Sequence, residues 1–244
     1  MSERFAAEAD ASALVFTSQA LEAERHEISG EDGHHLARAR RVQPMETVVV
    51  ADGKGHWRTC EVVAVEGATV DLRAEGPVLV EPVLSPSVTI AFAPAKADHA
   101  STVVHQLVEL GVERIVPIGT ARSVVRWEGD RAERAHARLQ RVAREAAAQA
   151  RRARIPEVAR FIDVRALAGR SGLVVADRLG CPADTLAKPR GGEWIVVVGP
   201  EGGLERGEID ALGAISLLAV GPHVLRSVTA PVAVAAALSS YRAH

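Results

Sequence analysis

The segment WIVVVGPEGGLERGEID, residues 194–210, carries the strongest structural signal in this chain. A run of branched apolar residues from Ile195 to Val198 stops at the glycine-rich residues 199–203, and the pattern of a short amphipathic helix follows. This order predicts a buried parallel strand that leads into a tight turn. Ligands of open α/β sheets bind where strands end at their carboxyl edge, and glycines let a ligand approach the backbone. We therefore expect a ligand site here and in the matching stretch VGPHVLRSVTAP, residues 220–231.

On both sides of this segment, from Val88 onward, strand patterns alternate with helix patterns. The strand patterns are SVTIAFAP (87–94), VERIVPI (112–118), LVVADR (173–178), WIVVVG (194–199) and SLLAVG (216–221). Helices are predicted from Asp98 (a capping residue) to Gly111, from about Asp130, from Glu205 to Leu212 and from Pro231 to Tyr241. Strands that alternate with helices predict an α/β fold whose mostly parallel sheet carries helices on both faces.

The first part of the chain, to about Val83, has a different pattern. The runs TVVVADGKG (47–55) and RTCEVVAVEGATVDLRAEG (58–76) alternate apolar and polar residues and are interrupted by Asp-Gly and Glu-Gly turn signals. A short helix from Glu31 to Arg41 is expected before them. These features predict a small N-terminal β-barrel.

A proline-rich segment, GPVLVEPVLSPS (residues 76–87), separates the two patterns and is expected to be a linker. The chain of 244 residues is long enough to form two hydrophobic cores. We therefore predict two domains, residues 1–83 and 84–244.

The composition argues against several classes of protein. The chain has no apolar run long enough to span a bilayer and no signal-peptide pattern, so neither a membrane partner nor secretion is expected. Cys60 and Cys181 are isolated, which predicts free thiols in a reducing cytoplasm. The net charge of −2 argues against a globally basic nucleic-acid-binding protein. His34 and His35 have no third ligand at a useful spacing, so no metal site is predicted.

Arginine is nevertheless concentrated in residues 114–160, where acidic residues are few. On a helix that begins near Asp130, one narrow sector carries Arg134, Arg138, Arg141, Glu145, Gln149 and Arg152. A separate sector, expected to face the core, carries Leu139, Val142, Ala143, Ala146 and Ala150. Guanidinium groups match phosphate geometry, so the basic stripe indicates an RNA contact. The alternative is a solvated helix face that has no partner.

Five blocks of sequence, in order and at suitable spacing, indicate one known family. DGHHLARARRV with VVVADGKGHW looks like a PUA-like barrel motif, and VVGPEGGLERGEI and LAVGPHVLRSVTA look like a signature turn and a last block. Between them, HQLVELGVERIVPIGTARSVVR and REAAAQARRARIPEV carry matching residues: Glu109, Gly111, Pro117, Arg122, Ser123, Glu145, Gln149, Arg152 and Pro156. The chain thus resembles the RsmE family, the 16S ribosomal RNA uracil-N3 methyltransferases of the SPOUT superfamily.

This resemblance implies a PUA-like β-barrel followed by a SPOUT α/β domain with a C-terminal trefoil knot, whose loops wrap S-adenosylmethionine. The implied cofactor-binding residues are Asp177, Val198, Gly199, Pro200, Glu201, Gly202, Gly203, Leu218, Val220, Gly221, Leu225 and Arg226. A homodimer is also implied, in which the C-terminal helix packs on its partner through Val232, Ala235, Ala236 and Leu238. The alternative is that these residues pack on the sheet of their own chain.

Methyl transfer to N3 of uracil needs a deprotonated nitrogen, because the lone pair of the neutral nitrogen is tied up in the ring. Cationic donors at O2 or O4 stabilise the charge that develops there, and by resemblance the candidates are Arg122, Arg152 and Arg226. Glu145 would orient an arginine or accept the proton. The expected partner is 16S ribosomal RNA or the small ribosomal subunit, and its implied contacts are Arg38, Arg41, Arg134, Arg138, Arg141, Gln149 and Arg152.

Some positions depart from the family pattern. His99 and Gln106 stand where basic residues are usual, and Ala121 replaces a frequent glutamate. His223 and Val228 stand where the last block often has an arginine and an acidic or small polar residue. Two further functions therefore stay open. One is an RNA-binding ribosome-assembly factor without transferase activity, and the other is a SPOUT methyltransferase that acts on another RNA site.

Overall fold

The computed structural model describes residues 4–95, 97–213 and 216–242, with only the backbone of residues 97 and 98. The chain divides into two compact units. The first comprises Met1–Pro82 and Arg144–Ile155, and the second comprises Val83–Ala143 and Pro156–His244. The sequence did not indicate that residues 144–155 belong with the first unit. The predicted domains, residues 1–83 and 84–244, stay a prediction.

The first unit is built on a mixed β-sheet. Its elements are β1 (Leu14–Phe16), β2 (Arg25–Ile28), α1 (Gly30–His34), β3 (Thr47–Ala51), β4 (His56–Glu66) and β5 (Thr69–Val80). Within the described residues the sheet has five strands in the order β1-β3-β4-β5-β2, and only the β1–β3 pair is parallel. Alternate side chains of these strands form its core: Val48, Val50, Cys60, Val62, Val70 and Leu72. The β-rich N-terminal part is thus confirmed.

The predicted linker, residues 76–87, is partly wrong, because β5 extends to Val80. Strand β4 pairs with this extension, His56 with Val80 and Trp57 with Leu79, beyond a register shift between Trp57 and Thr59. Pro77 lies close to this irregularity, where a strand tolerates the missing N–H of proline. Long-range strand pairing therefore overrides the local proline signal.

The second unit is built on a parallel sheet. The remaining elements of the chain are β6 (Ser87–Phe92), α2 (Ala97–Glu109), β7 (Arg114–Gly119), α3 (Gly129–Gln149), β8 (Glu157–Val158), β9 (Ile162–Asp163), β10 (Leu173–Pro182), β11 (Glu193–Val198), α4 (Arg206–Leu212), β12 (Ser216–Ala219) and α5 (Ala230–Ser239). The strand order is β12-β10-β11-β6-β7-β8, with β9 on β7, and every described pair is parallel. The predicted α/β class is confirmed. The predicted cap at Asp98 lies outside the described side chains.

The long arginine-rich helix, α3, ends before Arg152, the last residue of the predicted basic stripe. It stops at Gln149, and Arg151 takes a left-handed backbone conformation with φ of 54°. Arg152 therefore lies beyond the helix, and its predicted place on the helical stripe is wrong. The predicted inward face is confirmed for Leu139, Ala143 and Ala146, which are fully buried, whereas Val142 and Ala150 are only half-buried.

The C-terminal helix α5 packs within its own chain. Val234, Ala235 and Leu238 are fully buried, and α5 contacts β6, β11 and α2. Of the face predicted to meet a partner, only Val232 and Ala236 retain appreciable exposure. For Ala235 and Leu238 the structure therefore favours the alternative, packing on the sheet of their own chain.

His26 is an unusual residue in the core of the first unit. It lies in β2 with 1% exposure, and neither ring nitrogen has a hydrogen-bond partner among the described residues. Burial lowers the pKa of His26, and the nearby Arg58 guanidinium lowers it further. The folded unit therefore favours the neutral imidazole.

We expect the free energy of unfolding to depend on pH through His26. Its pKa in the folded chain lies below the ordinary value of 6.5, so the unfolded chain binds the proton first. Stability is then complete above pH 6.5 and falls as the pH decreases from 6.5 toward the lower folded pKa. Urea unfolding of the wild type and of His26→Leu, at about pH 7.5 and about pH 5.5, measures this loss.

His26→Leu should lose less stability on acidification than the wild type does. The exposed His34 offers a matched control, because His34→Gln should keep the wild-type dependence on pH. An equal acid-induced loss in wild type and His26→Leu would contradict the prediction.

Candidate functional site

A cleft of about 310 Å³ lies in the second unit at the carboxyl ends of β11 and β12, beside the middle of β10. Three segments line most of it: residues 175–178 from β10, residues 198–204 after β11, and residues 218–227 from the end of β12 onward. Parallel neighbours end at the same edge of a sheet, so the loops that follow them converge there. β10 lies between β11 and β12 in the sheet. The two loops predicted to form the site therefore follow the strands on either side of β10.

The structure brings most of the predicted cofactor-binding residues together around this cleft. Those that line it are Asp177, Val198, Gly199, Pro200, Glu201, Gly202, Gly203, Leu218, Val220, Gly221 and Leu225. Arg226 is the exception, because its side chain is exposed and it does not line the cleft. Their role in binding a cofactor stays a prediction.

A hydrogen bond connects the two loops that face each other across the cleft. The Ser227 hydroxyl donates to Oε1 of Glu201 at 2.5 Å, and Ser227 is 5% exposed. This bond is the main reason why the pKa of Glu201 lies below its ordinary value. Ser227 was not among the predicted site residues, since a serine in a loop carries no distinctive signal until its partner is known.

The glycine-rich turn has a conformation that requires glycine at one position. The Gly203 N–H donates to the Pro200 carbonyl at 2.8 Å, and Gly203 has a φ of 68°. Side chains with a Cβ rarely adopt this left-handed region. At Gly199 a Cβ would lie 3.2 Å from backbone atoms of Gly203 and Leu204, so the turn also packs against itself.

Arg122 is held against the outer side of this turn. Its Nη1 donates to the Gly202 carbonyl at 2.5 Å, and its Nε lies 3.7 Å from Oε1 of Glu205. A Cβ at Gly202 would lie 3.3 Å from Cδ of Arg122, so the two residues are already close. The structure thus places two of the four predicted catalytic residues at the cleft loops, Arg122 beside the glycine-rich turn and Arg226 within the loop 218–227, although neither lines the cleft.

The loop that carries Arg122 is attached to the start of α4. Glu208 is fully buried, and its carboxylate accepts the N–H of Ala121 at 2.8 Å and the N–H of Glu205 at 2.9 Å. Glu205 and Glu208 also form a capping box. The spacing Glu205-x-x-Glu208 before an apolar run was a readable signal for the cap, but not for the contact with Ala121.

Two other predicted catalytic residues, Glu145 and Arg152, belong to the segment Arg144–Ile155 of the first unit. Arg152 acts electrostatically on Glu81, which is 5% exposed and accepts the N–H of Arg154 at 2.8 Å. Burial raises the pKa of Glu81, and Arg152 opposes that shift. The structure therefore groups both residues with the first unit and places Arg152 near Glu81, which directly follows β5.

The predicted RNA-binding residues are mostly accessible. Arg38 and Arg41 are exposed in the first unit, and on α3 Arg134, Arg141 and Gln149 are exposed while Arg138 is half-buried.

Within residues 4–95, 97–213 and 216–242, His, Cys, Asp and Glu form no group of three or more that could hold a metal ion. None of the helices in this described part has both the length and the apolar character that a membrane crossing requires.

Comparisons with known proteins identify both parts of the chain. The family described as RNA methyltransferase domain matches residues 83–239, and the family described as RNA methyltransferase PUA domain matches residues 28–75. Ribosomal RNA small subunit methyltransferase E of Mycobacterium tuberculosis is 33% identical, over 83% of this chain and 81% of that protein. The Bacillus subtilis protein of the same name is 28% identical, over 93% of this chain and 94% of that protein.

A solved structure extends this similarity to the fold. The crystal structure of ribosomal RNA small subunit methyltransferase E from Neisseria gonorrhoeae, bound to S-adenosyl methionine, superposes with a TM-score of 0.78. The two sequences are 27% identical, and the match covers 94% of this chain and 97% of that chain.

Proposed function

The chain belongs to the ribosomal RNA small subunit methyltransferase E family, and from this premise we propose that it methylates N3 of a specific uridine in 16S ribosomal RNA, with S-adenosylmethionine as the methyl donor. The observation that carries the proposal is the cleft at the carboxyl ends of β11 and β12, on which the glycine-rich turn and the loop 218–227 converge. The N. gonorrhoeae relative, bound to S-adenosyl methionine, supports the choice of donor.

The cleft suits S-adenosylmethionine in size and charge. Its volume of about 310 Å³ lies at the lower end of the range for small-molecule sites. Among the described residues that line it are the acidic Asp177 and Glu201 and the basic Arg178, and this acidic character suits a cationic sulfonium. We assign the binding of adenine and ribose to backbone groups of Leu218, Val220 and Leu225, with apolar side chains on either side of the ring.

Transfer of the methyl group demands little chemistry of the protein at the donor. S-adenosylmethionine supplies a methyl group on a positively charged sulfur, which becomes neutral when the group leaves. The protein must align this methyl with N3 of the base and stabilise the charge on the uracil as N3 loses its proton. We assign the stabilising role to Arg122, Arg152 and Arg226, and we assign proton acceptance or arginine orientation to Glu145.

We also propose that the strands around the cleft form the trefoil knot of SPOUT enzymes. Pairing of β12 with β10, on the far side of β10 from β11, supports this arrangement.

The reducing cytoplasm is the proposed compartment, in keeping with the free thiols of Cys60 and Cys181.

The proposed enzyme acts as a homodimer. Support comes from two large apolar side chains that are exposed on the second unit, Leu179 at 76% and Val224 at 80%, which a partner subunit would cover. Light scattering on the purified chain should give about twice the chain mass of 25.8 kDa, and Val224→Asp should shift it toward the monomer. A wild-type mass of one chain would exclude the dimer.

The function is tested by transfer of a labelled methyl group to small-subunit ribosomal RNA from a strain that lacks this protein. We expect one modified uridine, with the label on N3.

Gly202→Val should weaken the binding of S-adenosylmethionine, measured by calorimetry, at least about tenfold because it crowds the turn and Arg122. Gly207→Val is the matched control, since a Cβ at Gly207 has no atom within 4 Å.

The outcomes separate the candidate functions. If the wild type binds no S-adenosylmethionine at about millimolar concentration, a range in which weak cofactor sites still bind, the assembly-factor alternative holds. Transfer to another atom or another RNA would replace the N3 assignment but keep the transferase.

The arginine stripe of α3 should provide part of the RNA affinity. Arg138→Glu combined with Arg141→Glu should weaken RNA binding and reduce the slope of log K against log salt, by about 0.7 for each lost phosphate contact. Cofactor affinity should not change. Arg126→Glu with Arg170→Glu makes the same change in net charge at exposed positions outside the stripe and is the control. If the two double variants have equal slopes of log K against log salt, the stripe is a solvated helix face that does not bind RNA.

A further inference from the structure

We propose that Glu208 is a positioning residue that acts through Arg122: it holds the loop of Arg122 against the glycine-rich turn of the cleft. This inference rests on the proposed methyltransferase function, because the effect of the positioning is measured as a change in the turnover rate. It concerns a side chain that the sequence did not single out and that does not line the cleft.

The first step is the burial of Glu208 and the use of both its oxygens. The residue is 0% exposed, and a buried carboxylate is costly unless its oxygens accept hydrogen bonds. Oε2 accepts the N–H of Glu205, three residues earlier, which completes the cap of α4. Oε1 accepts the N–H of Ala121, which lies 87 positions away in the chain. The cap needs only one oxygen, so the second one provides a long-range attachment.

The second step is the construction of the loop that Glu208 attaches. Thr120 and Ser123 are 6% and 9% exposed, and the Ser123 hydroxyl oxygen accepts the N–H of Thr120 at 3.0 Å. Ala121 and Arg122 are exposed between these two buried residues. The amide that Glu208 binds therefore belongs to the residue immediately before Arg122, at the outer end of a narrow turn.

The third step is the dependence of Arg122 on this attachment. The Arg122 side chain is 51% exposed. Its Nη1 donates to the Gly202 carbonyl at 2.5 Å, and its Nε lies 3.7 Å from Glu205 Oε1. A long exposed side chain is costly to immobilise unless its backbone is already fixed. Glu208 binds both Ala121 and Glu205, so a single buried carboxylate positions the backbone on either side of the Arg122 guanidinium.

Displacement of a catalytic cation by about 1 Å is enough to cost up to about 100-fold in rate. Glu208→Gln preserves the shape of the side chain, but its amide nitrogen cannot accept an N–H, so one of the two attachments is lost. We expect turnover to fall about tenfold, with the KM for S-adenosylmethionine changed less than about twofold. Asp210→Asn, an exposed neutralisation on the same helix, should leave both values unchanged and serves as the matched control.

A double-mutant cycle separates positioning from general stabilisation. If Glu208 acts through Arg122, Glu208→Gln should cause little further loss of turnover in an Arg122→Lys background. If Glu208 only stabilises the fold, it should lower turnover by the same factor in both backgrounds, and that result would overturn the inference. Glu208→Asp, which keeps the charge and shortens the reach, replaces Glu208→Gln in the cycle if the glutamine variant does not fold.

Limited trypsin digestion reads the position of the loop without any turnover. Release of the loop should raise the rate of cleavage after Arg122 several-fold in Glu208→Gln relative to Asp210→Asn, as measured by mass spectrometry of the fragments. Wild-type cleavage together with wild-type turnover in a folded Glu208→Gln protein would refute the positioning role. Absence of turnover in the wild type would instead defeat the proposed function, and the digestion result would still decide whether Glu208 attaches the loop.

Discussion

Parallel pairing of β10 with β11 on one side and with β12 on the other is the constraint on which the site depends. Parallel strands end at a common edge, so the segments that follow β11 and β12 have to leave the sheet close together. The cleft between them is lined mainly by those segments. Its position is therefore a consequence of strand direction and strand order, before any individual side chain is considered.

Buried polar groups then fix loops that the sheet alone leaves free. Ser227 connects the two cleft loops through Glu201, and Glu208 connects the Arg122 loop to α4. A third case is Arg242, which is 3% exposed and donates to the Gly111 carbonyl at 2.7 Å and to Glu113 at 2.8 Å. Because an unsatisfied buried polar group is costly, each of these bonds favours one arrangement of the loops it joins.

Local patterns predicted the strands and most helix limits well, and they failed where distant parts of the chain decide the outcome. The proline signal at Pro77 was overridden by pairing with β4, and the wheel that included Arg152 assumed a helix that ends at Gln149. Ala235 and Leu238 could be assigned to a partner or to their own sheet with equal consistency, because a small apolar face suits both. None of these choices is encoded in a short window of sequence.

The sequence by itself determined the α/β class, the β-rich first part and the residues of the glycine-rich turn, because apolar periodicity and glycine act through local backbone geometry. Only the tertiary structure decided that Ser227 meets Glu201, that Glu208 meets Ala121 and that Arg122 meets Gly202. These contacts join residues 26, 87 and 80 positions apart. A hydrogen bond over such a separation depends on how the strands between its partners are ordered in the sheet, which no local pattern specifies.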